Sequence, residues 1–587
     1  MYQRFDDTTS PEQGPPRLRA LRQEMADKGF DGFLIPRADA HQGEYVAPAD
    51  DRLAWLTGFT GSAGFCAALR DVAGVFIDGR YTVQVKAQVA LDQFTPVPWP
   101  SNKPGPWLKE HLPQTHKMAY DPWLHTSAEV DAITQAGVTL VPSPNLVDRI
   151  WHDRPAPPMG KVIAHPLELS GEAHGDKRAR LAAGLAEAGH SAAVLTLPDS
   201  IAWLLNIRGS DISRNPVPHC FAILHADATV DLFIAAPKLN EIGDHLGADI
   251  RIHAPDAFLP ALAALKGQVG VDTSSAPAIV SQTITAEVVA IDDPCVLPKA
   301  CKNPVEIDGT RRAHLRDAQA MVKFLAWLDA QKPGLTEIEV VSALEGFRRD
   351  TNALRDISFE TIAGAGPHGA IVHYRCTEST NRAVQDGELL LVDSGGQYVD
   401  GTTDITRTVV MGTPTREQCE CYTLVLQGMI ALAMARFPRG VAGRDLDALA
   451  RAPLWRNGLD FDHGTGHGVG SYLCVHEGPA RISRQSEVPL KPGMILSDEP
   501  GYYREGAFGI RIENLIVVQE APPLGDNRDQ LSFETLTFVP FDRRLIAVDM
   551  LSPLERRWID AYHAEIAQKL DIQGPARDWL EAATKAL

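Results

Sequence analysis

The sequence predicts a mixed α/β and α+β protein, in which two similar α/β segments precede a third segment of helices and short hairpins. Three observations lead there. The chain has 587 residues, 44% hydrophobic and 22% charged, an ordinary globular composition with length enough for two to four domains. Two seams divide it. Pro142, Pro144, Pro155, Pro157, Pro158 and Pro166 crowd the first, and DDPCVLPKACKNPVEIDG, residues 292–309, forms the second. The first two segments also repeat one another. These features place the divisions at 1–158, 159–302 and 303–587.

In the first segment a helix from about Arg17 leads through Gly29 into the apolar strand GFLIP. In the second a helix from about Asp176 leads through Gly189 into AAVLTLP. Ala54-Trp55-Leu56 followed by Gly61-Ser62 is mirrored by Ala202-Trp203-Leu204 followed by Gly209-Ser210. Alternating helix and strand argue for α/β architecture. The third segment opens with a long amphipathic helix. Leu315, Ala318, Val322 and Leu325 stand at helical spacing, Asp329 breaks the apolar face, and Pro333-Gly334 stops the helix. Thr336-x-x-Glu339, Thr415-x-x-Gln418 and Ser552-Pro553-x-Glu555 are capping signals for three more helices. The second of these runs to about Ala435, the third to about Leu570. That last helix carries Leu554, Trp558, Ile559, Tyr562, Ile566 and Leu570, a stripe that must pack on its own domain or on another subunit.

Several classes are excluded. The longest apolar run, Thr423 to Phe437, is broken by Gln427, Gly428 and Arg436, short of the ~18 residues a membrane helix needs. The N-terminus has no apolar core of a secretory signal. A net charge of -19 disfavours nucleic acid and anionic membranes as partners. Eight scattered cysteines without a C-x-x-C, with Cys419 and Cys421 on a helix, read as reduced thiols in a cytoplasmic protein.

The third segment delivers acidic residues from apolar strands. LLLVD ends in Asp393, DITRTVV begins with Asp404, MILSDEP carries Glu499 and IRIEN carries Glu513. Taken singly, Asp393 could cap a turn, Asp404 could end a loop and Glu513 could pair with Arg511. Together, four carboxylates on buried-type strands require cations, because a lone buried charge is costly. Between them, HGTGHGVGSYLCVHEGP places His463, His467 and His476 among glycines that let the backbone approach a site. His373, in the strand-like AIVHY, is a fourth candidate. The four carboxylates balance two divalent ions, with neutral His467 as a fifth ligand. Oxygen-rich ligation favours Mn or Mg, with Zn and Co possible, and paired ions are a device for activating water. Gly364-Ala-Gly366-Pro-His-Gly369 fits a dinucleotide fingerprint, but a strand-like run follows it where a helix is required.

The runs DSGGQYVDGTTDITRT, HGTGHGVGSYLCVHEGP and DEPGYYREGAFGIRIEN resemble the pita-bread metallopeptidases, most of all the long, three-domain cytosolic X-prolyl aminopeptidases. IPRADAHQGEYVAP, TGFTGSAG, DGRY, LLNIRGSDISRNPV, TRRAHLRDA and LERRWIDAYH extend the resemblance along nearly the whole chain. It implies two creatinase-like α/β domains ahead of a pita-bread catalytic domain. It also implies a metalloaminopeptidase that removes the N-terminal residue from peptides with proline second, using a hydroxide activated at a dinuclear, Mn-type centre. By the same resemblance Asp393 binds one metal, Asp404 and Glu513 bridge, and His467 and Glu499 bind the other, with Glu499 as general base. His373 and His476 match histidines beside the scissile carbonyl. His463, Arg511 and Phe359 match the substrate pocket, although some relatives carry tyrosine at Phe359. The resemblance favours a homodimer. The alternatives are an X-Pro dipeptidase and a non-catalytic pita-bread protein that binds peptide or protein.

Overall fold

The computed structural model describes residues 1–525 and 527–587. Thr8–Val296 form one compact unit; Met1–Asp7 and Leu297–Leu587 form another.

The first unit contains two six-stranded sheets built to one plan. Helix α1 (Gly14–Asp27) is followed by Gly29 in the left-handed region (φ 70°), which turns the chain into β1 (Gly32–Pro36). Helix α2 (Arg52–Thr57) holds the Ala54-Trp55-Leu56 phrase. Strands β2 (Phe65–Leu69), β3 (Ala73–Ile77), β4 (Thr95–Pro98), β5 (Met118–Tyr120) and β6 (Leu140–Pro142) complete the order β4-β3-β2-β1-β5-β6. The second copy opens with α3 (His174–Glu187) and Gly189 (φ 83°), which leads into β7 (Ala192–Leu195). Helix α4 (Pro198–Leu204) holds Ala202-Trp203-Leu204. Then come β8 (Phe221–His225), β9 (Val230–Phe233), β10 (Ile250–His253), β11 (Gln268–Val271) and β12 (Glu287–Ala290), in the order β10-β9-β8-β7-β11-β12. Directions match as well. β1 runs antiparallel to β2 and parallel to β5, as β7 does to β8 and β11.

The second unit begins its helices with α5 (Pro304–Asp329). This helix starts ahead of its apolar stripe because the Asn303 side chain accepts from the Val305 and Glu306 amides. Thr336 caps α6 (Glu337–Arg349) as the sequence predicts. Strands β13 (Ile362–Ala365), β14 (Leu389–Ser394) and β15 (Ile405–Val410) form an antiparallel sheet in that order. Next come α7 (Arg416–Ala433), β16 (Arg436–Pro438), α8 (Gly443–Trp455), β17 (Gly466–Gly468), β18 (Glu477–Ile482) and β19 (Ile495–Asp498). Strands β20 (Gly501–Arg504) and β21 (Phe508–Arg511) stand apart as a hairpin; β22 (Asn514–Glu520) and β23 (Gln530–Thr535) complete a sheet of order β16-β23-β22-β19-β17-β18. Helices α9 (Pro553–Lys569) and α10 (Pro575–Ala583) come last; the capping signals in the sequence predict only the first.

One core joins α5 (Met321, Val322), α6 (Leu344), β14 (Leu390, Val392), α7 (Val425, Met429) and α9 (Ile559, Tyr562, Ile566). The stripe on α9 is therefore covered by its own unit, and only Leu554 stays out, 52% exposed. That stripe carries no argument for a second subunit. Pro453 lies inside α8, where it withholds an amide from the Leu449 carbonyl; nothing in the structure explains its presence.

AIVHY is not a strand. Gly366–Ala370 form a 3-10 turn, and the Ile371 and Tyr374 amides continue turning onto the carbonyls of His368 and Ile371. The glycines serve close packing: a Cβ on Gly509 would lie 1.6 Å from the Gly369 carbonyl oxygen. Among the described residues no helix is long and apolar enough to cross a membrane. All eight cysteines are free thiols, six of them buried.

Candidate metal centre and active site

Two sheets of the second unit supply the candidate ligands. Asp393 lies on β14, facing Thr406 of β15, and Asp404 immediately precedes β15. His467 lies on β17, where the register shifts between His467 and Gly468. Glu499 follows β19, and its amide donates to the Thr465 carbonyl at 2.8 Å. Glu513 occupies the gap between β21 and β22; its amide donates to the Thr406 carbonyl at 3.1 Å, and its Oε2 accepts from Thr406 Oγ1 at 2.7 Å. These bonds bring the two sheets to one point. His467 Nε2 lies 3.5 Å from both Asp404 Oδ2 and Glu499 Oε1. Ligand atoms of Asp404, His467 and Glu513 all fall within 4.8 Å of one another.

The electrostatics fit a cation site. Asp393 Oδ1, Asp404 Oδ1 and Glu513 Oε1 are buried without a hydrogen-bond partner. Burial, with the neighbouring carboxylates, pushes Glu513 well above the usual carboxylate range. Burial raises Glu499 and Asp393 too, although Arg511 opposes it at Asp393. Burial lowers His467, but Asp404 and Glu499 outweigh it and push the imidazole up to about 9. Crowded carboxylates with orphan lone pairs, beside an imidazole that they protonate, are what divalent ions would satisfy and neutralise.

Arg511 is 1% exposed, and its Nη2 donates to Asp393 Oδ2 at 2.6 Å. It does not take Glu513, the sequence-adjacent partner considered above. Its Nη1 donates to the Tyr503 hydroxyl at 2.6 Å, and that hydroxyl lies 2.8 Å from His463 Nε2. Tyr503 is a site residue that sequence reasoning missed; burial pushes its hydroxyl up to about 12, against the pull of Arg511. The His463 loop is pinned by α8: Arg451 donates to the His463 carbonyl at 2.7 Å, and Thr465 Oγ1 donates to Asp447 Oδ1 at 2.6 Å.

The His476 ring stands edge-on to that of His467, centroids 4.3 Å apart. His373 follows Val372, whose carbonyl accepts from Arg511 Nη2 at 3.3 Å. Phe359 is half-buried and follows Ser358, which bonds to Gly395 and Thr403, the neighbours of the Asp393 and Asp404 strands. A second grouping, Asp39, Asp50 and His219, lies in the other unit. There Asp50 bonds to Arg52 at 2.9 Å, and Asp39 Oδ2 lies 3.2 Å from His219 Nε2.

Fold and site together define a pita-bread metallopeptidase: residues 308–520 match metallopeptidase family M24 and 529–587 its C-terminal region, while 17–150 and 153–306 match creatinase/prolidase N-terminal domains. The chain is 37% identical to a probable Xaa-Pro aminopeptidase P of Coccidioides posadasii, covering 99% of this chain and 95% of the relative. It is 36% identical to aminopeptidase P1 of Lotus japonicus, covering 97% and 99%. The crystal structure of an X-prolyl aminopeptidase from Caenorhabditis elegans, described as a cytosolic enzyme with a di-nuclear active site, superposes with a TM-score of 0.92 at 33% identity, over 97% of this chain and 99% of that one. The chain belongs to the X-prolyl aminopeptidases of this family.

Proposed function

We propose that the protein is a metalloaminopeptidase that releases the N-terminal residue from peptides with proline in the second position. The observation that carries this is the convergence of Asp393, Asp404, His467, Glu499 and Glu513, three of them with orphan buried oxygens, in a chain that Xaa-Pro aminopeptidases match from end to end. Two divalent ions held by these five residues would supply water activation and Lewis-acid polarisation; Mn suits the oxygen-rich set, and Zn or Co could substitute.

The protein's own groups do the rest. Glu499, oriented by Ser497 Oγ at 3.1 Å, acts as general base on the attacking water. Arg511 fixes Asp393 and brings the positive charge that would offset a hydroxide once two ions balance the four carboxylates. His476 and His373 donate toward the substrate carbonyl oxygen. His463, held by Tyr503, and Phe359 line the pocket for residue and ring. A prolyl bond offers no amide N–H, so ring packing and carbonyl donors must do the recognising.

The remaining parts of the reading are a boundary near 158, another near 302, a homodimer and a cytoplasmic workplace. The two sheets, which end at Pro142 and Ala290, support the boundaries, and the eight free thiols support the compartment. Hydrolysis of X-Pro-Y, X-Ala-Y and X-Pro with added Mn tests the activity. Release of X from X-Pro-Y alone is expected; cleavage of X-Pro alone makes it a dipeptidase, and no cleavage with no bound metal makes it a binding protein. A monomer in sedimentation at micromolar concentration, folded and active, refutes the dimer.

A further inference from the structure

Met1–Asp7 cluster with the second unit, not with the unit that follows them in sequence. Gln3 is 3% exposed, and its side-chain amide pairs with Thr361 in both directions. Nε2 donates to the Thr361 carbonyl at 3.1 Å, and Oε1 accepts from the Thr361 amide at 2.8 Å. Thr361 leads into β13, the edge strand whose Ile362 faces Asp393. Gln3 therefore satisfies at that edge what a further strand would satisfy. The Tyr2 and Gln3 amides donate to the Glu345 carboxylate on α6 at 2.7 and 3.1 Å. Phe5 packs on the core, and its carbonyl accepts from the Glu378 amide at 2.8 Å. Arg375 donates to the carbonyls of Arg4 and Asp6 at 3.0 and 3.1 Å and to Glu360 Oε2 at 2.6 Å. Ser379 Oγ donates to Asp7 at 2.7 Å.

These bonds tie together two stretches of chain, 360–361 and 375–379. The first directly follows Phe359, and the second starts two residues after His373. On the other side of His373, Arg511 holds the Val372 carbonyl. We propose that residues 1–7 are a positioning strap that sets Phe359 and His373 against the substrate, leaving the metal ligands to the strands that carry them. The proposal rests on the reading of His373 and Phe359 as substrate-facing groups.

Two variants test it, each loaded with Mn: a chain shortened to begin at Thr8 behind an initiating Met, and full-length Gln3→Ala, which keeps the test alive should the shortened chain not fold. A misplacement of about 1 Å can cost a hundredfold in rate. The expected result is a fall in kcat/KM for an X-Pro-Y peptide of about 10- to 100-fold, with metal content at the wild-type level. Adding the synthetic peptide Met-Tyr-Gln-Arg-Phe-Asp-Asp should restore part of the activity of the shortened chain. Unchanged kcat/KM in Gln3→Ala overturns the proposal. So does a loss that follows the unfolded fraction or the lost metal and that the peptide does not restore. A His373→Ala variant with wild-type turnover marks the different failure, that of the underlying assignment, and it removes the proposal with it.

Discussion

Replacing Glu477 with alanine should strongly destabilise the catalytic unit. Glu477 opens β18 directly after His476, and its carboxylate is shared by Lys299, at 2.7 Å, and Lys302. The three side chains are 1%, 2% and 2% exposed. Truncating the shared anion leaves two buried ammonium groups without it, and breaking a buried ion pair in this way costs about 3–5 kcal/mol. At ~2 °C per kcal/mol for a unit of this size, Tm should fall by about 6–10 °C. The carboxylate also packs against the turn between His467 and His476, since a Cβ on Gly470 would lie 3.1 Å from Glu477 Oε2. Turnover should therefore fall along with Tm. Melting curves and steady-state rates on the Mn-loaded protein read both effects. The triple replacement Lys299→Met, Glu477→Leu and Lys302→Met removes all the charges together and should melt near or above wild type, because apolar substitutes for a buried ion cluster are often neutral or stabilising. A Glu477→Ala variant within 2 °C of wild type would refute the reasoning.

Three further outcomes follow from the site. Asp393→Asn should stay folded but lose metal and most turnover, because an amide is a poorer ligand for a hard cation; normal metal content with normal turnover defeats the five-ligand assignment. His476→Ala should keep its metal and its KM while kcat drops by roughly 10²–10³. A purely structural histidine would instead show lower Tm with modest loss of rate, and loss of one ion would make His476 a ligand. In the metal-free protein His467, held up to about 9, carries a proton through the neutral range. Metal must displace that proton, so apparent affinity should rise with pH up to about 9, with proton release detectable by calorimetry in buffers of different ionisation enthalpy. Affinity that does not change between pH 6.5 and 8 contradicts this.

Much of this was legible in the sequence. The repeat showed because its signals are conformational requirements: Gly29 and Gly189 both adopt positive φ after a helix, and both Ala-Trp-Leu phrases sit on short helices. The carboxylates showed because apolar strands have no other reason to carry them. What stayed hidden was set by contacts between residues distant in sequence. Arg511 and Glu513 are neighbours in sequence, but β21 ends between them and the guanidinium reaches back 118 residues to Asp393. Nothing in the sequence marks Tyr503, whose partners Arg511 and His463 lie 8 and 40 residues away. AIVHY read as a strand because composition does not report Gly369 packing against Gly509. Met1–Asp7 carry no periodic pattern, and their partners lie more than 340 residues away.

The arrangement of ligands over two sheets makes the ions part of the scaffold. Asp393 lies on the sheet of β13, β14 and β15 and Asp404 immediately before its strand β15, while His467 lies on the six-stranded sheet and Glu499 immediately after its strand β19. On the proposed ligand assignment, a pair of bound ions would act as a reversible cross-link between them, closing the long stretch of chain from Asp393 to Glu513. Such a link obeys mass action: an ion at a hundred times its dissociation constant adds about 2.7 kcal/mol to folding, and dilution removes it. With those ligands, the lifetime of this enzyme against proteases would depend on the free metal concentration around it as well as on its own sequence.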